Sequence, residues 1–114
     1  MCLLKECMSK TVVKRLDGSV FVEDDRSLAT AKEQNINYAR TLASEAIQSA
    51  GLDEATQQNA ALGIYPPERC EAIKSYIASC WNEYLRCKAL ILAAQTNDEA
   101  DAVQFVAPLV PSGL

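Results

Sequence analysis

Cysteine is the residue with the widest chemical reach in this chain. There are five cysteines and no histidine. Cys70, Cys80 and Cys87 fall within one predicted helix, and Cys2 and Cys7 lie near the start. Thiols could bind a metal, exchange disulfides or attack a carbon. Structural zinc takes a C-x₂₋₄-C pair completed by a second pair, and the helical cysteines lack that spacing. Cys2 and Cys7 have a four-residue gap but no second pair to complement it. At 1.5 Å per residue, Cys70 and Cys80 are about 15 Å apart on a helix, and Cys80 and Cys87 about 10 Å. A disulfide needs Cα atoms within about 7 Å, so these cannot pair within one helix. Buried packing thiols in a reducing compartment are the expectation.

Other catalytic sets fare no better. Without histidine, a Cys-His or Ser-His nucleophile cannot be built. Two acidic clusters, Asp24-Asp25 and Asp98-Glu99-Asp101, could supply paired carboxylates, but both sit where helix starts favour acids. They are expected to be solvated caps. No phosphate-loop or dinucleotide fingerprint occurs, and four scattered glycines cannot make one. The chain is therefore not expected to be an enzyme, and no cofactor or metal is expected.

The 114 residues suit one small domain. Apolar residues make up 49% and charged residues 23%, a globular balance. The net charge of −4 and the lack of a basic stripe argue against nucleic acid as a partner. No apolar run approaches the ~18 residues a membrane span needs. MCLLKEC has no basic region before its apolar part, so secretion through a signal peptide is not expected. Met8-Ser9-Lys10 also reads as a start, which would make residues 1–7 a leader.

The elements follow from local pattern. Residues 1–26 form an N-terminal segment with a β-hairpin over 11–22, turned at Asp17-Gly18, where both positions accept positive φ. Apolar residues on both of its faces, including Phe21 and Val22, mark it as a surface that must lie on something. Residues 27–105 form a helical bundle, with helices expected over about 27–50, 53–62, 67–95 and 97–105. Thr30-x-x-Glu33 and Thr96-x-x-Glu99 have capping-box form, and Asp25 or Ser27 could cap the first helix earlier. Gly51 and Gly63 suit helix ends, and Pro67 suits a helix start. Residues 106–114 read as an extended apolar tail laid on a surface, with Leu109 and Val110 as contact candidates. The fold class is mainly α: an N-terminal β-hairpin, then a three-helix bundle with one long heptad-patterned helix, then an extended C-terminal tail.

That long helix carries a seam at Cys70, Ile73, Ile77, Cys80, Tyr84, Cys87, Ile91 and Ala94, in alternating steps of three and four. A second apolar stripe, Ala78, Trp81, Leu85 and Leu92, runs beside it. The seam suits either packing within the chain or a helical homo-oligomer, since both produce this spacing. Tyr76, Trp81 and Leu85 are interface candidates, although on such a helix the core is the first expectation for Trp81.

The run QQNAALGIYPPERCEAIKSYIASCWNEYLRC, residues 57–87, resembles helical segments of small tail-associated and tail-assembly proteins of bacteriophages and prophages. The resemblance covers about a quarter of the chain and carries no catalytic residue. It implies a structural virion or tail component, in the virion or the host cytoplasm, that self-associates or docks on neighbouring virion subunits. The alternative is a monomeric cytosolic helical module that grips or regulates a protein partner. In both readings the partner is protein.

Overall fold

The computed structural model describes residues 10–14, 16 and 18–114, with the backbone alone for 12–14 and 20–22. The expected leader and Asp17 of the expected turn lie outside these residues. The chain is mainly helical, with a short antiparallel hairpin at its N-terminal side.

The hairpin pairs β1 (Lys10–Lys14) with β2 (Val20–Asp24). Its register departs from expectation. Lys14 pairs with Val20, one position off the register that a two-residue turn at 17–18 would set. Gly18 does adopt positive φ, at 91°. The observed register places Val12 opposite Val22, Val13 opposite Phe21 and Lys10 opposite Asp24. A two-residue turn would shift it by one and set Val12 against Glu23 and Lys14 against Phe21. Matching apolar with apolar and cation with anion across the ladder favours the observed register.

Helix α1 (Leu28–Ser49) starts where the Ser27 hydroxyl accepts from the Thr30 amide, so Ser27 is the cap and Thr30 lies inside the first turn. It ends in a Schellman motif. Gly51 donates to the Gln48 carbonyl and Leu52 to the Ile47 carbonyl, which requires the φ of 82° at Gly51. The motif turns Leu52 into the core, where it is buried. Asp53 then caps α2 (Glu54–Ala61), and Pro67 opens α3 (Pro67–Ala93). Thr96 caps α4 (Asn97–Ala102), while the Glu99 carboxylate accepts from the Gln95 amide. Helix α4 stops at Ala102 and does not reach Phe105, because Val103 is already extended at ψ 123°.

The long helices α1 and α3 pack antiparallel. Lys32 reaches Leu92, Arg40 reaches Tyr84, and Tyr76 donates to the Ala46 carbonyl, so one index rises as the other falls. Small residues on α1 make this approach possible. Ala39 and Ala43 face Tyr84, Cys87 and Ile91 in one core cluster, closed at its end by Ala100 of α4. Ile47, Leu52 and Ala60 face Ile73, Tyr76 and Cys80 in a second cluster, at the α2 end. Among the described residues, the other helices, α2 and α4, are short and sit at the two ends of this pair. Residues 103–114 run back along the pair as an extended strap, with Val103 and Phe105 packed on the first cluster and Leu114 on the second.

Candidate functional site

The seam is used within the chain. Cys70, Ile73, Cys80, Tyr84, Cys87, Ile91 and Ala94 are buried, and Ile77 is half-buried at the edge of the second cluster. Its neighbours are the alanines and Ile47 of α1. Tyr76, read as an interface candidate, is in the core. Its position on the helix lies between the seam and the strap, and its hydroxyl reaches a backbone carbonyl of α1 at 3.4 Å.

Among the described residues, the cysteines carry no assembled chemistry, and Cys2 and Cys7 lie outside those residues. Cys70, Cys80 and Cys87 are free and buried. The Cys70 thiol donates to the Tyr65 carbonyl at 3.3 Å and the Cys87 thiol to the Gln104 carbonyl of the strap at 3.5 Å. Burial pushes the Cys80 and Cys87 thiols above their ordinary range, which keeps them protonated and poorly nucleophilic.

Asp24 and Asp101 are not solvated caps, whereas Asp25, Asp98 and Glu99 of the same acidic clusters are exposed and Glu99 accepts from the Gln95 amide at the start of α4. Asp24 and Asp101 converge on Arg26, whose side chain is only 6% exposed. The guanidinium forks onto Asp24 through Nε at 2.9 Å and Nη2 at 2.8 Å. It also donates to Asp101 at 2.8 and 3.2 Å and to Gln34 at 2.9 Å. Asp101 further accepts from Lys10 and from Asn35, both at 2.7 Å. Asn97 closes the cluster by donating to the Arg26 carbonyl at 2.8 Å and to Asp24. The Arg26 guanidinium is the main reason that both carboxyls lie well below the usual range. Carboxylate oxygens of Asp24, Asp98 and Asp101 lie within 4.8 Å of one another, close enough for a metal ion. Lys10 and Arg26 already donate to these oxygens and place two positive charges where the ion would sit. The cluster thus fits a clasp between hairpin, α1 and α4, and does not fit a metal site.

A second clasp holds the strap. Arg86 grips Glu83 with both nitrogens at 2.6 Å and donates to the Gln104 carbonyl at 2.8 Å. Glu83 accepts from the Val106 amide at 2.8 Å. Arg86 chiefly, with burial opposing, holds the Glu83 carboxyl below its usual value. Leu109 and Val110 lie on the outer side of this strap, exposed. Phe21 and Val22 are placed on β2 by the backbone, and their side chains lie outside the described set.

The second apolar stripe remains in solvent. Trp81 is 36% exposed, at the rim, and not in the core as first expected. Leu85 and Leu92 are more exposed still. Trp81 sits one position past Cys80, about 100° around the helix, which carries it off the seam. Its ring meets Tyr84 edge to face at 5.8 Å, and Arg40 lies over the same Tyr84 ring at 5.5 Å. Beyond them, Ile36 of α1 and Leu92 of α3 line a groove with Ala29, Lys32, Glu33 and Asn37. The strap covers the other side of the α1–α3 pair. Among the described residues, nothing packs over Leu85 or Leu92 on this side.

No family model matches this chain, and no curated protein or solved structure is significantly similar to it. No helix among the described residues is long and apolar enough to cross a membrane.

Proposed function

We propose that this chain is a non-enzymatic assembly protein that docks on neighbouring proteins through the open face of the α1–α3 pair. The observation that carries this reading is the exposed row Trp81, Leu85 and Leu92 beside a seam already used inside the chain. A row of large apolar side chains that begins with a tryptophan is the composition of an interface anchor. The absence of histidine, the buried thiols and the cation-filled carboxylate cluster support a non-catalytic role. The virion or tail setting rests on the resemblance of residues 57–87 alone. The self-association that this resemblance implies would have to use a surface other than the seam.

The test is site-specific photocross-linking in cells that naturally make the protein. A benzophenone amino acid replaces Leu85, and in a separate variant Leu62, an exposed leucine at the far end of α2. The reading predicts discrete protein adducts from position 85 that Trp81→Asp removes. Adducts from position 62 alone, or none from either, contradict it.

A further inference from the structure

Building on that docking reading, we propose that the open groove receives an amphipathic helix of a partner protein whose apolar stripe is flanked by carboxylates. The groove has the shape of a missing third helix: two antiparallel helices form its walls, and the strap occupies the opposite side. Its charge is opposite in sign to the rest of the chain. Lys74, Trp81 and Lys88 recur at seven-residue spacing, so one cation stands about 10 Å to either side of the indole along α3. From α1, Arg40 lies over Tyr84 and Lys32 reaches the Leu92 carbonyl. Against these four cations, Glu33 lines the groove and Glu71 falls three residues before Lys74 on α3, so the cations exceed these acids by two in a chain whose net charge is −4. Among the described residues, no carboxylate pairs with Arg40, Lys74 or Lys88.

This pattern disfavours two other occupants. A second copy laid antiparallel about Trp81 sets Lys74 against Lys88 at both ends, and such like-charge pairs oppose the contact. An anionic membrane would meet a chain that is negative overall and a tryptophan that is only 36% exposed and packed edge to face on Tyr84. A helix with glutamates flanking leucines matches both the groove and the cations.

The probe is a fluorescein-labelled, tryptophan-free peptide of about three heptads, with leucine at a and d and glutamate at e and g. A lysine version is the control. Each is titrated with the full chain, and binding is read by anisotropy and by emission from Trp81, the only tryptophan. The glutamate peptide is expected to bind at least about tenfold more tightly, with affinity falling as salt rises. Leu85→Asp should abolish binding, and the double variant Lys74→Glu with Lys88→Glu should reverse the peptide preference. Equal binding of both peptides, or binding of neither, overturns the proposal, while cross-linking at position 85 would leave the docking reading standing. Two further results also overturn it. One is binding to vesicles of equal phosphatidylglycerol and phosphatidylcholine in preference to the peptide. The other is self-association that Leu85→Asp removes.

Discussion

Arg26 and Asp101, 75 positions apart, are joined by two hydrogen bonds at 2.8 and 3.2 Å. This contact ties the exit of the hairpin to the last helix. It also brings Asn35 of α1 into the same cluster. Removing one partner leaves a nearly buried guanidinium with fewer acceptors. Asp101→Asn should therefore destabilise the fold by about 2–3 kcal/mol, at or below the range for breaking a buried pair. Urea unfolding followed by far-ultraviolet circular dichroism measures it. A loss within a few tenths of a kcal/mol would show that the cluster is only surface decoration.

The same cluster sets a pH dependence. Asp24 and Asp101 have folded pKa values depressed below the unfolded carboxylate value of about 3.9. A group depressed in the folded state stabilises above its unfolded pKa, and that stabilisation disappears as pH falls through the folded value. Stability should thus hold from neutral pH down to about pH 4 and decline below it. Asp101→Asn should flatten the decline. A variant curve parallel to that of the parent would contradict the assignment.

The thiols give a chemical test of packing. In a Cys2→Ser, Cys7→Ser background, Ellman's reagent should label Cys70, Cys80 and Cys87 only as fast as the protein opens. Their burial and the raised thiols of Cys80 and Cys87 both oppose attack. Rapid native labelling of any of the three would reverse the reading of the seam. Cys80→Ser should cost about 1–3 kcal/mol, because it places a hydroxyl in a fully buried site among Ile47, Ile73 and Leu52.

The strap should shield Cys87. Phe105→Ala removes a half-buried ring from the first cluster and should cost about 1–2 kcal/mol, less than a fully buried phenylalanine. Labelling of Cys87 should accelerate with it, since Gln104 of the strap covers that thiol. Labelling of Cys70, which bonds to Tyr65 at the other end, should change far less. Uniform acceleration would mean that the strap stabilises the whole fold without covering one site.

Much of the helical layout could be read from residue type and spacing. Ser27, Asp53 and Thr96 are short polar residues before helical runs, and each caps a helix through its side chain. The seam was visible because a helix repeats its faces. The Arg26 clasp was not visible. Its members are far apart in sequence and obey no period, and a single arginine beside two aspartates looks like a charged break. Nor could the strap be traced, because an extended segment signals neither its neighbour nor its direction. Trp81 was misplaced because two stripes of similar hydropathy share one helix, and only the small residues of α1 decide which stripe turns inward. The hairpin register differs by one position from the one an Asp-Gly turn sets, because cross-strand matching of residues outweighs that local signal.

The central claim is that the seam of α3 closes on α1 of the same chain, which leaves the Trp81 row as the docking surface. Urea unfolding at two protein concentrations about a hundredfold apart tests it directly. A seam closed within the chain predicts the same midpoint at both concentrations. A seam shared between copies would raise the stability by about 1.4 kcal/mol for each tenfold in concentration. A midpoint that climbs with concentration would contradict the account.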